Sequence, residues 1–212
     1  MAGSRELSGA RVTVMGLGRF GGGVGATRHL VSMGAEVLVT DLEPADRLAD
    51  SIARIGDLVD KGSVTLRLGE HNVSDFTACD LVVANPAVPR PWENRFLRAA
   101  EAAGGPITTE IQLAADALPP GVRKCAITGS AGKSTTSALV HHVLGALGER
   151  VHFGGNIGGS LLERLGEIRD GDVIVLELSS FQLHWLDGFR ADVAAVTNLE
   201  PNHLDWHVTL DH

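Results

Sequence analysis

Two glycine-rich turns constrain this chain more than any other feature, because each follows an apolar, β-branched run and opens a helical stretch. The first, Gly16-Leu17-Gly18-Arg19-Phe20-Gly21, comes directly after Val12-Thr13-Val14-Met15. The second, Gly129-Ser130-Ala131-Gly132-Lys133-Ser134-Thr135, closes the run Lys124 to Thr128. Strand, glycine turn and helix in that order aim free backbone N–H groups and the positive end of a helix dipole at one point, where an anion binds. Glycine permits the close approach, and it is in excess: 26 residues of 212, about one in eight against a usual ~7%.

Around these turns the pattern alternates. Strands are predicted at Val12 to Met15, Glu36 to Thr40, Val64 to Leu68, Asp80 to Ala84 and Ile107 to Thr109. Helices are predicted from the first turn to about Gly34, and over Leu48 to Val59, Trp92 to Ala103 and Glu110 to Leu118. Leu118-Pro119-Pro120-Gly121 then breaks the rhythm, which restarts with strands at Lys124 to Thr128, Arg150 to Phe153, Asp172 to Leu178 and Asp192 to Thr197, and a helix over Lys133 to Leu147. Such alternation predicts parallel βαβ units. The expected fold class is α/β: a Rossmann-like doubly wound parallel sheet over residues 1–120, then part of a P-loop NTPase-like domain over residues 121–212.

The first turn matches GxGxxG, and Asp41 ends the next strand where a dinucleotide fold places its ribose-binding acid. NAD is therefore one candidate. The physics serves any nucleotide diphosphate, UDP included, and a ligand-free strand–helix turn is the plain structural alternative. Gly22, Gly23 and Gly25 weaken a helix start, so the helix is expected to begin late.

The second turn is a shortened phosphate loop, GxxGK[ST]. Its amides can cradle phosphate oxygens, Lys133 can reach the β- and γ-phosphates, and the Ser134 hydroxyl can take Mg²⁺. A lysine at a helix start has little structural purpose, because the dipole disfavours it there. Glu177 ends the apolar run DVIVLEL, at the strand tip where such sheets bind ligands. Asn202-His203-Leu204-Asp205-Trp206-His207 is dense in potential metal ligands. His141, His142, His184, His207 and His212 read as solvated imidazoles.

Composition narrows the partners. Lys and Arg number 18 against 26 Asp and Glu, a formal charge of -8, and no basic run offsets it. Nucleic acid and anionic membrane surfaces are disfavoured and small molecules favoured. With six Phe, three Trp and no Tyr, there is little stacking surface for single strands. Cys79 and Cys125 form no CxxC pair and are expected as buried, reduced thiols. Met1-Ala-Gly-Ser-Arg-Glu has no apolar signal core, and no apolar run approaches the ~18 residues of a span, so a cytoplasmic location is expected.

Taken together, GLGRFG, ITGSAGKST, GGNIG (Gly154 to Gly158), LELSSFQL (Leu176 to Leu183) and NHLDWH resemble the Mur ligase family, with ELSSFQL favouring its D-glutamate-adding branch. The resemblance implies UDP binding by the first domain, ATP binding by the second, and peptide-bond formation through an acyl phosphate in peptidoglycan synthesis. The implied substrates are UDP-N-acetylmuramoyl-L-alanine and D-glutamate, with ATP and Mg²⁺ as cofactors. Lys133 would stabilise the transferring phosphoryl group within the loop Gly129, Ser130, Ala131, Gly132, Lys133, Ser134 and Thr135. Ser134 and Glu177 would hold one Mg²⁺, and His203 a second. Gly16, Gly18, Arg19, Phe20, Gly21, Asp41, Asn156 and Ser179 would meet the UDP-sugar.

Several positions depart from the family pattern. Ala131 replaces an Asn in the phosphate loop and Asn202 an Asp before His203. Leu42-Glu43 stand for a polar and basic pair, and Asn85-Pro86-Ala87 for Ser-Pro-Gly. The family's carbamylated lysine and third, amino-acid-binding domain are not among these 212 residues. The expectation is therefore a chain that does not turn over alone and has an open sheet edge, while the full-length form is monomeric. A non-catalytic nucleotide-binding module, an NAD-dependent dehydrogenase and a sister Mur ligase are the alternatives.

Overall fold

The computed structural model describes residues 7–212; Met1 to Glu6, read above for their lack of a signal core, lie outside the described residues. The first sheet is built from β1 (Arg11–Met15), β2 (Glu36–Asp41), β3 (Val64–Leu68), β4 (Leu81–Ala84) and β5 (Ile107–Thr109), all parallel in the order β3-β2-β1-β4-β5. Its helices are α1 (Gly22–Ser32), α2 (Ala49–Ala53), α3 (Gly56–Asp60), α4 (Val73–Thr77), α5 (Arg95–Ala102) and α6 (Glu110–Ala117). The chain leaves β1 towards β2 on one side and later returns to β4 on the other. That reversal opens a crevice beyond the tips of β1 and β4, where a doubly wound sheet takes its ligand.

A second parallel sheet follows, in the order β7-β8-β6-β9, from β6 (Arg123–Thr128), β7 (Val151–Gly155), β8 (Val173–Glu177) and β9 (Val193–Val196). Helices α7 (Lys133–Ala146), α8 (Ser180–Trp185) and α9 (Leu204–His207) connect or follow them. β8 is buried along its whole length, as a central strand covered on both faces must be. β9 is an edge, and its Val193 and Val196 are more than half exposed, as expected of an open sheet edge.

The two sheets share one apolar core. Val24 and Leu30 of α1 and Ile111 of α6 belong to the same buried cluster as Leu161, Ile174 and Leu176. A 3-10 turn at Leu161–Glu167 is the wedge between them, packed on both α1 and α6. Glycine makes this fit possible: a Cβ on Gly25 would lie 2.3 Å from Ser160 Oγ.

Four local expectations are corrected. The helix after the first turn does not begin late: it starts at Gly22, and Gly23 is required there because a Cβ would lie 2.4 Å from the carbonyls of Gly16 and Leu17. Leu48 to Val59 is broken into a 3-10 turn at Ala45–Leu48 followed by α2 and α3. The carbonyl of Arg54, which a continuous helix would spend on Leu58, instead accepts from the Arg28 guanidinium, and Leu58 N–H turns to Ile55. Trp92 to Ala103 is split at Asn94, whose side chain accepts from the N–H groups of Phe96 and Leu97 and caps α5. Cys79 and Cys125 are free thiols, but half-buried rather than buried, and burial pushes the Cys125 thiol pKa up.

Candidate functional site

The crevice of the first sheet continues into a cavity of about 710 Å³ walled by both sheets. Gly16, Gly18, Arg19 and Phe20 line it from the first turn, and Asn156 and Gln182 from the second sheet. Gly16, Gly18 and Gly21 all have positive φ, which explains why the sequence spends glycine at those three places. Gly21 is the residue before α1, so the free N–H groups of Gly22 and Gly23 face the mouth of the turn. Phe20 is 92% exposed at the rim.

Asp41 is at the tip of β2, as its sequence position suggests, but its carboxylate is already engaged. One oxygen accepts from Gly18 N–H at 3.0 Å and the other from Glu43 N–H at 2.9 Å. It braces the turn from below, which removes the Gly18 amide from any phosphate and leaves no carboxylate oxygen without a partner for a ribose.

The second turn is laced to the strand tip beside it. Thr197 Oγ1 and Asn198 Nδ2 both donate to the Ala131 carbonyl, and Ser130 Oγ donates to the Glu200 carbonyl. Two amides expected in the phosphate cradle are occupied: Ser130 N–H donates to the Asn198 carbonyl and Ala131 N–H to Asn198 Oδ1. The exposed start of α7 at Gly132, Ser134 and Thr135 is therefore the accessible part of the loop. Lys133 Nζ folds back onto the carbonyls of Gly129 and Ser130 at 2.7 and 3.2 Å, a posture that needs no counter-ion.

Glu177 is level with Ile127 across the β6–β8 ladder, so its side chain stands at the strand tip next to this loop. It is 1% exposed. Asn156 Nδ2 donates to one carboxylate oxygen at 3.1 Å, and the other, Oε2, is buried without a hydrogen-bond partner. A buried carboxylate oxygen left bare is costly unless something positive reaches it. Asn156 also lines the cavity, so a single side chain connects the cavity to Glu177.

Ser179 does not line the cavity. It is 2% exposed and is the N-cap of α8, its hydroxyl and N–H both donating to Gln182 Oε1; Gln182 itself lines the cavity. Asn156, which holds Glu177, and Gln182, which is held by Ser179, thus line one cavity. His203 is exposed in left-handed backbone and meets Phe181 edge-on at 5.3 Å. Among the described residues no hydrogen bond or ion pair joins it to Ser134 or Glu177, and no group of three or more His, Cys, Asp or Glu is gathered as a metal site. His184, His207 and His212 are not free imidazoles: their rings pack against Trp206 at 5.0, 4.5 and 6.0 Å. Burial holds the His184 and His207 pKa values below the ordinary range, with the charge of His212 acting in the same direction.

Sequence reading missed four cavity residues. His71 follows β3, with Nδ1 2.7 Å from Thr40 Oγ1, and burial lowers its pKa. Asn85 follows β4 and crowds Gly16, whose Cβ would lie 3.1 Å from it. Both sit just past strand tips, the one signal that could have found them. Glu110 and Ser160 meet across the two sheets in a hydrogen bond that no local pattern announces.

Two parallel sheets, each with a glycine turn that opens a helix at its strand tips, and a cavity that the first turn lines and both sheets wall define an α/β protein of two Rossmann-like units. Residues 127–212 match the Mur ligase middle domain. Over nearly its whole length the chain is similar to enzymes called UDP-N-acetylmuramoylalanine–D-glutamate ligase: 40% identical over 96% of the chain to that of Geobacter metallireducens. The likeness to that of Anaeromyxobacter dehalogenans is 44% over 97%. Both likenesses point to one family, the Mur ligases. The chain covers 43% and 42% of those two relatives. A ligase structure from Neisseria meningitides, called UDP-N-acetylmuramate:L-alanyl-gamma-D-glutamyl-meso-diaminopimelate ligase, shares the fold with a TM-score of 0.57 at 17% identity, covering 96% of this chain and 65% of that one. Among the described residues no helix is long and apolar enough to cross a membrane.

Proposed function

We propose that this chain supplies the UDP-sugar site and the nucleotide site of an ATP-dependent ligase that joins D-glutamate to UDP-N-acetylmuramoyl-L-alanine in cytoplasmic peptidoglycan synthesis. Residues 1–120 form the UDP-binding part and residues 121–212 the ATP-binding part. The observation that carries the reading is the bare, buried Oε2 of Glu177 beside the phosphate loop. A carboxylate whose second oxygen is already held by Asn156 is a hard-oxygen ligand suited to Mg²⁺, with the Ser134 hydroxyl as the second protein ligand. Bound there, Mg²⁺ supplies charge neutralisation to phosphoryl oxygens. The activity for which the relatives are named suggests the substrates.

In this reading Lys133 leaves the carbonyls of Gly129 and Ser130 and swings its ammonium onto the γ-phosphate. The N–H groups at the start of α7 hold the β-phosphate. Gly16, Gly18, Arg19, Phe20 and Gly21 cover the UDP diphosphate, with the N-terminus of α1 as the anion site. Asp41 acts by shaping that turn. Asn156 orients Glu177 and presents its amide oxygen to the muramoyl substrate. Ser179 acts by fixing Gln182, and His203 lies outside the first metal site. These roles are positioning and charge neutralisation, which is most of what phosphoryl transfer asks of a protein. The engagement of both Asp41 oxygens argues against an NAD site.

The reading is tested by calorimetric titration of the 212-residue chain with UDP-N-acetylmuramoyl-L-alanine and, separately, with a non-hydrolysable ATP analogue plus Mg²⁺. Two independent binding events are expected, with NADH silent. Binding of NADH with no response to either ligand would overturn it.

A further inference from the structure

Glu110 opens α6 immediately after β5, on the wall where the two sheets meet the cavity. Ser160 Oγ donates to its carboxylate and accepts from Leu162 N–H, capping the 3-10 turn that wedges the sheets apart. Its aliphatic stem lies against Gly22, the first residue of α1, where a Cβ would meet Glu110 Cγ at 4.0 Å. An acid therefore stands between the helix end behind the first glycine turn and the Gly154 to Gly159 loop that carries Asn156.

Among the described residues no ion pair compensates it. The elements packed on α6 are α1, β5, the 3-10 turn and α8. Their titratable groups are Arg28 and His29, Glu163, Arg164 and Glu167, and His184, β5 contributing none. Arg28 is committed to Asp57 and to the Arg54 carbonyl, and Arg164 to the Phe153 carbonyl. Glu163, bound to Arg54 at 2.7 Å, is the charge that bears on Glu110, and it is of like sign. Arg19, Asp41, Glu43 and His71 also line the cavity, and none of them is hydrogen-bonded or ion-paired to Glu110. Burial first, and the Glu163 charge in support, raise the Glu110 pKa to about 7 against the opposing hydrogen bond from Ser160.

As an anion, Glu110 would repel a diphosphate; as a neutral acid it gains a donor. We propose that Glu110 meets the phosphorylated sugar ligand as the protonated acid, donating a hydrogen bond to a ligand oxygen, so that binding takes up a proton from solvent. This rests on the substrate reading above and adds a positioning group to it.

The test is calorimetry of the 212-residue chain with UDP-N-acetylmuramoyl-L-alanine, whose diphosphate diester and carboxylate hold one charge state from pH 6.5 to 8.5. Titrations at pH 8 in two buffers of different ionisation enthalpy count the protons. The expected results are uptake of more than about half a proton and a roughly tenfold loss of affinity between pH 6.5 and 8.5. Glu110→Gln, which keeps a donor without a charge, should bind with no uptake and with flat affinity. Wild-type binding without uptake, or unchanged uptake in Glu110→Gln, overturns the inference while leaving the substrate reading intact. Absence of binding at every pH overturns both. If Glu110→Gln fails to fold, His71→Asn decides, because His71 is the other cavity group able to take up a proton beside an anion: uptake that persists in His71→Asn supports the inference, and uptake that it abolishes overturns it.

Discussion

At the scale of single residues, the site is a set of groups held short of satisfaction. Lys133 rests on carbonyls of its own loop and is free to leave them. Lys133→Ala should therefore weaken binding of a Mg–nucleotide triphosphate by about 1.5–3 kcal/mol, the range for a hydrogen bond to a charged group. The melting temperature should change little; calorimetry and a melting curve check the pair. Glu110 predicts a pH effect on folding. Its carboxyl gives up its proton near the ordinary 4.5 when unfolded and at about 7 when folded. The folded state holds the extra proton between those values, so stability falls as pH rises through that window, by about 3 kcal/mol in all. Denaturant titrations at pH 5 and pH 8 should show that fall in the wild type and its loss in Glu110→Gln. Of these residues Lys133 and Glu177 were legible in the sequence, because motif spacing and a strand end mark them. Glu110, Ser160 and the bracing role of Asp41 were not, because each depends on a partner far away in sequence.

Elements show a sharper division. The strands were legible nearly to the residue, since a short β-branched run between glycines admits little else: Val64–Leu68 and Ile107–Thr109 were read without error. Helices that depend on partners from elsewhere were not legible. Nothing in Leu48 to Val59 says that Arg28 will take the Arg54 carbonyl, and nothing around Asn94 says that the cap prevails over continuation. Glycines separate the same way. Gly23→Ala drives a methyl into the backbone of the first turn and should cost at least the ~1–3 kcal/mol of an overpacked site. Gly145→Ala, inside α7 with open space around it, should stabilise by about 0.5–1 kcal/mol. Paired denaturant melts test both signs at once.

For the whole molecule, the sequence announced two α/β units but not how they are joined. The join is a shared apolar core, the Arg54–Glu163 pair and Trp206, whose indole N–H donates to the Pro86 carbonyl at 3.0 Å. Arg54 and Glu163 are too exposed for their pair to contribute more than about 1 kcal/mol. Trp206 is 2% exposed, so Trp206→Ala should cost about 3–5 kcal/mol and loosen the cavity from both sides, visible as lower affinity for a UDP-sugar as well as a lower melting temperature. The cavity matters because it brings the first glycine turn within one side chain, Asn156, of the carboxylate at the phosphate loop. That carboxylate carries the account. Its most direct measurement is the Mg²⁺ dependence of ATP-analogue binding in wild type and Glu177→Gln. Affinity should rise at least about tenfold with Mg²⁺ in the wild type and not respond in the variant; equal affinity with and without Mg²⁺ in the wild type, or an undiminished Mg²⁺ response in Glu177→Gln, would contradict it.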